Sequence, residues 1–330
     1  MKAPRDLSFD YGEEPVKVID LNGEGLVITS KDGGLALYRL NSNLALVPCS
    51  NTLETKWSGD LTSWSTGDGY AHIAWTRRYI DNQGYFKQTL SYSRIDASCE
   101  MSPVQDLMDS ISLSDGKYFG IDMDVKGTEI IIAGYHRDIS TGGTFKDLTS
   151  VFLLTSDYPI SSDDWKFTPN VIDEIDVSMY EADPVTVEMG EEFTHILYQS
   201  NRDDITGQER IGLWYAHGSS EQTSWTYRKA VGDDAGMQKM SVITHDEKDF
   251  IYTVWKEGVD AESKLIAKVT DSTLTSLENL SVEIPSKGIG NIQMTETHLG
   301  IQIFYDFVGP TGSQIQYGMM NPTHGEEWIG

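Results

Sequence analysis

The chain has little basic charge, few cysteines and no long apolar run. Its 51 Asp and Glu stand against 25 Lys and Arg, a formal net charge of -26 at pH 7. A phosphate backbone needs a basic surface, so this balance excludes a nucleic-acid partner. An acidic coat suits solubility, divalent cations or a salty setting instead. No run of roughly 18 apolar residues is present to cross a bilayer as a helix, so membrane insertion is not expected. The opening MKAPRDLSFDYGEEP has no apolar core of the kind a secretion signal needs. Two cysteines, Cys49 and Cys99, are too few for a disulfide framework. The strand reading below sets Cys49 at the end of an outer strand and Cys99 in the turn before one. Those are opposite rims about 17 Å apart, so two free thiols are expected. Walker and dinucleotide glycine motifs, His-Glu-x-x-His, Cys-x-x-Cys and the Gly-x-Ser-x-Gly elbow are all missing. Their absence removes nucleotide-binding, zinc and hydrolase-elbow chemistries as first readings. No proline- or serine-rich linker divides the chain, so residues 1–330 read as a single domain.

What is present is strand. With 8 Trp, 16 Tyr and 10 Phe, much of the apolar content is of the kind that favours extended backbone. The clearest unit runs from Asp183 to Val231. It reads as four strands, DPVTVE, FTHILYQ, IGLWYAH and WTYRKAV, with period-2 alternation and polar breaks at Gly190, Asn201 to Gln208 and Gly218 to Thr223. One such antiparallel sheet cannot bury both faces alone and must stack on copies of itself. Similar units occupy 16–55, 60–112, 117–176, 180–232, 236–286 and 289–330, a spacing expected of propeller blades. The last is one strand short. Asp6 to Asp10 (DLSFD) is free to complete it, which would close a ring and remove its open edges. The expected fold is therefore all-β, a six-bladed β-propeller of four-stranded antiparallel blades closed by the N-terminal strand. Ser102 to Ser112 reads as a short turn of helix.

The second strands and the turns after them align best: HIAWTRRYID, IIIAGYHRDIS, HILYQSNRDDI, IYTVWKEGVD and IQIFYDFVG. This pattern resembles the sialidase-like propellers built from BNR repeats. Their Asp box, Ser-x-Asp-x-Gly-x-x-Trp, is approached by Ser161-Ser162-Asp163-Asp164-Trp165 and by Ser219 to Trp225, both without the glycine. In a propeller the turn after the second strand and the entry to the inner strand share one face, where ligand sites gather. Arginine recurs there, at Arg77, Arg78, Arg137 and Arg202. The resemblance implies an arginine clamp on a carboxylate, since a guanidinium fork matches a carboxylate bidentately. The competing reading pairs each arginine with an acid of its own loop, Asp81, Asp138, Asp203 or Asp204.

The sialidase marks of catalysis are missing: there is no Arg-Ile-Pro near the start, and no spacing selects a Tyr-Glu pair. Tyr180, Glu181 and Asp183 form the best placed phenol and carboxylate group for acid-base work. Trp75, Tyr198 and Trp255, at the ends of second strands, are candidate platforms for sugar faces, with packing as the alternative. Asp122 and Asp124 alternate on one strand and point the same way. With Asp203, Asp204, Asp233 and Asp234 they make calcium a candidate ligand, although no cofactor is required. The expected role is a non-catalytic recognition propeller binding a glycan or a protein surface ligand, extracellular or on a virion surface. The alternatives are a sialidase-like glycoside hydrolase or polysaccharide lyase, and a structural component of a virion or cell-surface assembly.

Overall fold

The computed structural model describes residues 14–21, 24–31, 34–41, 45–54, 57–65, 69–108, 111–112, 116–127, 129–139, 147–156, 167–175, 183–200, 212–219, 225, 227–233, 235–245, 247–258, 263–274, 276–283, 289–297, 300–309 and 312–320. These residues build antiparallel sheets whose strands follow chain order. The first sheet is β1 (Glu14–Leu21), β2 (Glu24–Lys31), β3 (Gly34–Leu40) and β4 (Leu46–Glu54). The second is β5 (Trp57–Ser65), β6 (Tyr70–Ile80), β7 (Phe86–Asp96) and β8 (Gln105–Asp106), with β9 (Ile111–Ser112) also paired to β7. The third is β10 (Gly116–Lys126), β11 (Glu129–Ile139), β12 (Asp147–Ser156) and β13 (Phe167–Ile175). The fourth is β14 (Thr186–Met189), β15 (Thr194–Ser200), β16 (Gly212–Gly218) and β17 (Tyr227–Asp233). The fifth is β18 (Ala235–His245), β19 (Lys248–Glu257), β20 (Lys264–Asp271) and β21 (Ser276–Glu283), and the last is β22 (Ile289–Thr297), β23 (Gly300–Gly309) and β24 (Gly312–Met320). The expected closing strand, Asp6 to Asp10, lies outside the described residues.

The second strands carry near-continuous apolar runs because both their faces are covered. All seven residues of β15, THILYQS, are buried, which is what a strand inside stacked sheets requires. Cores form between successive sheets. Ile19, Leu26, Ile28 and Leu35 of the first sheet pack with Ile73, Trp75 and Ile95 of the second. Leu197 and Tyr215 of the fourth pack with Met240, Ile251 and Trp255 of the fifth, and Leu265 and Val269 of the fifth pack with Ile292, Ile301 and Ile303 of the last. Each fully buried aliphatic side chain contributes about 1.5–3 kcal/mol. By packing density the chain divides into two compact units, 1–132 with 136–145 and 154–169, and 133–135 with 146–153 and 170–330.

Two expectations are corrected. Cys49 and Cys99 are not free thiols but form a disulfide, with Cα atoms 5.7 Å apart. The expectation ended the outer strand at Cys49. Instead β4 runs on to Glu54, so Cys49 sits mid-strand, where the turn after β7 packs against it together with Ala97 and Met101. The described residues between Ser102 and Ser112 are not helical either. Ser93 Oγ donates to the Ser102 carbonyl at 2.9 Å, Ser91 Oγ to Asp106 Oδ1 at 2.8 Å and Thr89 Oγ1 to the Met108 carbonyl at 2.9 Å. These hydroxyls hold the segment extended along β7, which overrides its local helical pattern.

Candidate active site

A recurring constellation ties first strands to their neighbours. Asp60 precedes His72 by the same twelve residues that separate Asp183 from His195. His72 Nδ1 lies 2.6 Å from the Tyr92 hydroxyl, and His195 Nδ1 lies 2.6 Å from that of Tyr215. Both tyrosines come twenty residues after their histidine.

In the first unit, pairing of Leu61 with Trp75 sets Asp60 beside Thr76. The Asp60 amide donates to Thr76 Oγ1 at 3.3 Å, and Thr76 Oγ1 reaches Asp60 Oδ2 at 3.5 Å. The Gly120 amide, on β10, donates to Asp60 Oδ1 at 3.0 Å. Two residues along each strand, Thr62 Oγ1 donates to Asp122 Oδ1 at 3.2 Å. Burial raises the Asp60 pKa from its ordinary value. The Gly120 amide, the Lys117 charge, Thr76 and the Arg78 charge oppose that shift without cancelling it. A carboxyl held toward its protonated form, with cations close by and a second carboxylate on the facing strand, can act as a general acid.

The second unit uses its equivalent differently. Asp183 Oδ2 accepts from the Met237 amide at 2.6 Å and from Gln199 Nε2 at 3.2 Å, while the Asp183 amide donates to Gln199 Oε1 at 2.8 Å. Gln199 also donates to the Ala235 carbonyl at 2.7 Å. Gly236 is glycine for a local reason, since a Cβ there would stand 2.7 Å from Asp183 Oδ2. Asp183 is thus a brace between the fourth and fifth sheets.

Asp249 is a second brace. Its carboxylate accepts from the amides of Glu191, Glu192 and Phe193 at 2.8–3.2 Å and from Thr244 Oγ1 at 2.8 Å, and it lies 3.1 Å from His195 Nε2. Burial raises its pKa, but the bonds from His195, these amides and Thr244 outweigh that and hold it well below the usual carboxylate range. The His217 ring is stacked parallel to that of His195 with centroids 6.2 Å apart. Burial, and then the charge of His195, lower the His217 pKa to about 4.

The other sequence candidates are placed as follows. Trp75, Tyr198 and Trp255 are buried in the cores, so the platform reading is corrected: these rings fill sheet packing, and the Tyr198 hydroxyl donates to Asp173 at 2.9 Å. Arg78 is exposed, Arg77 lies 3.7 Å from Asp106, and Arg137 is buried on β11. Tyr180, Glu181, Arg202, Asp203, Asp204 and Asp234 lie outside the described residues, as does the side chain of Asp233. Asp122 is engaged by Thr62, and Asp124 accepts from the Val125 amide at 2.7 Å. Among the described residues no group of three or more His, Cys, Asp or Glu is arranged to hold a metal. Sequence reasoning missed Asp60, the two His–Tyr pairs and Asp249. The first three were readable as a repeated Asp, His, Tyr spacing, whereas Asp249 acts across sheets and leaves no local signal.

No protein-family model and no curated protein matches the chain. Among solved structures, the α-L-arabinanase of Penicillium chrysogenum complexed with arabinobiose matches at 10% identity and a TM-score of 0.52, covering 95% of this chain and 93% of that one. The likeness is one of fold. A point mutant of the Synechocystis apocarotenoid oxygenase matches at 11% identity and a TM-score of 0.49, covering 91% of this chain and 67% of that one. An α-L-arabinofuranosidase of Lactobacillus brevis matches at 11% identity and 0.45, covering 79% and 90%. Those two scores are too low to add weight. The fold is all-β and propeller-like, and the resemblance extends no further toward sialidases: Ser161 to Trp165 lies outside the described residues, and Trp225 is buried against Gly218. The non-catalytic role expected from the sequence is corrected to this extent: a solved structure that shares the fold over 95% of this chain is that of an α-L-arabinanase, so the fold gives no ground for a role in recognition alone. That expectation rested on missing sialidase marks, which bear on one family's chemistry and not on glycan cleavage in general.

Proposed function

We propose that this chain is a glycoside hydrolase acting on a polysaccharide of the arabinan type, with Asp60 as its general acid and Asp122 as the facing carboxylate. Asp60 is the observation that carries it: a carboxyl whose pKa burial raises, set between first strands of adjacent sheets beside Arg78 and Lys117. Glycosidases need one carboxylic acid that keeps its proton to give to the leaving oxygen and a second that stays ionised. The fold shared with an arabinanase over nearly the full chain supports the substrate class. The Cys49–Cys99 disulfide supports an extracellular setting, because such bonds persist in oxidising compartments.

The test is release of reducing sugar from linear arabinan, and of nitrophenol from 4-nitrophenyl α-L-arabinofuranoside. Asp60→Asn keeps an acceptor for the Gly120 amide and should fold, yet it should lose roughly 10²–10⁴-fold in kcat, the usual worth of a positioned acid. Asp183→Asn should lower thermal stability with far less effect on kcat. No turnover by the wild type on either substrate, or equal kcat for Asp60→Asn, would remove the assignment.

A further inference from the structure

The hairpin between β6 and β7 ends in exposed apolar side chains that the fold does not use. Ile80, Tyr85 and Phe86 are 53%, 59% and 61% exposed, on a chain with 51 acidic residues available for its surface. The tip that carries them is rigidly built. The Asp81 amide donates to the Tyr85 carbonyl and the Gly84 amide to the Asp81 carbonyl, both at 3.0 Å. Asp81 Oδ1 accepts from the amides of Gln83 at 2.8 Å and Tyr85 at 3.0 Å. Gly84 has φ +87°, a left-handed conformation that favours glycine. Apolar groups held out on a pre-organised turn cost solubility and gain nothing in folding, so their use lies in contact with something else.

Register says where that contact leads. Ile80 pairs with Phe86 and Arg78 with Gln88, and residues two apart on a strand share a face. Ile80, Phe86, Arg78 and Gln88 therefore lie on one face of the hairpin. Thr76, which holds Asp60, is on the same row, and Gln88 accepts the Tyr118 amide of β10 at 2.8 Å. Antiparallel pairing also puts the start of β5 at the end of the sheet where this turn projects. One stripe thus runs from the Asp60 carboxyl past the exposed Arg78 to the apolar tip. Four residues separate Thr76 from Ile80, about 13 Å at the rise of a strand.

We infer that the Ile80–Phe86 tip is a distal glycan-binding subsite, which holds the apolar face of a sugar residue further along the same chain whose linkage lies at Asp60. This inference deepens the hydrolase reading and rests on it. Sugar rings offer C–H faces that pack on aromatic side chains, while Arg78 between the two ends can hydrogen-bond the hydroxyls of an intervening residue.

The test compares wild type with Tyr85→Ala/Phe86→Ala, whose changes are exposed and should leave the melting temperature unchanged. Affinity electrophoresis in linear arabinan and in xylan reads binding, and the aryl arabinofuranoside, too short to reach the tip, reads catalysis at Asp60. The expected result is roughly ten-fold weaker retardation of the variant in the polysaccharide it binds, with KM for that polysaccharide raised to match and aryl-glycoside kcat unchanged. Equal retardation of the two proteins, or no retardation of the wild type, overturns the subsite even where aryl-glycoside turnover upholds the hydrolase. Retardation lost in the variant while the wild type cleaves nothing upholds binding at the tip and removes the hydrolase. A wild-type dimer that the variant converts to monomer in sedimentation velocity overturns the inference, because the tip would then be a contact between copies.

Discussion

Opening the Cys49–Cys99 bond should be strongly destabilising, and the magnitude follows from chain statistics. The bond closes a loop of sequence separation 50, joining β4 to the turn after β7. Freed from it, the unfolded chain regains loop entropy worth about 4 kcal/mol at 25 °C in the chain-entropy account. For a unit of this size that corresponds to a fall in melting temperature on the order of 10 °C. The perturbation is Cys49→Ser/Cys99→Ser, read by circular dichroism on heating and by urea titration, with the wild type measured with and without reductant. The double variant should melt at the temperature of the reduced wild type and no longer respond to reductant. Two reactive thiols in the denatured, unreduced wild type would refute the reasoning, and so would a wild-type midpoint that reductant leaves in place.

Asp249→Ala removes the acceptor for three successive amides and for Thr244, leaving them unpaired beside His195, and should cost about 3–5 kcal/mol in urea unfolding; a loss under about 1 kcal/mol would mean water replaces the carboxylate. Gly190→Ala should be destabilising by about 1–3 kcal/mol, because its Cβ would collide with the Asp249 carboxylate; Gly190→Ala in an Asp249→Ala background should recover most of that difference. Stability should fall on acidification from about pH 6.5 to about 4, because His217 takes up its proton in the unfolded chain before it does so in the folded one, where its pKa is about 4. Below that, from the ordinary aspartate range downward, protonation of Asp249 should continue the loss, since its folded pKa is depressed. A His217→Gln variant should flatten only the upper part of this profile, as followed by midpoints of urea unfolding against pH.

The strand positions were legible because they depend on local pattern. The turn at Gly190 and the order of β14 to β17 follow from alternation and glycine, and those four strands begin and end within a few residues of the expected ones. The candidate site was less legible. Asp60 sits among 51 acidic residues, and only the pairing of β5 with β6 and the approach of the Gly120 amide single it out. Trp75 and Trp255 end apolar strands in the manner of surface platforms, yet the neighbouring sheet covers both. The disulfide is not legible because β4 continues past Cys49 to Glu54, which sets that cysteine mid-strand and within reach of Cys99.

What the amino-acid sequence determines by itself is the repeat: alternating short strands with polar breaks, each sheet too thin to stand alone, because side-chain periodicity and turn chemistry are local properties. Which carboxyl is buried, which cysteine meets which and which aromatic is covered are decided only when sheets pack face to face. Those facts depend on distances between residues some 50 to 60 positions apart, and no local pattern encodes them.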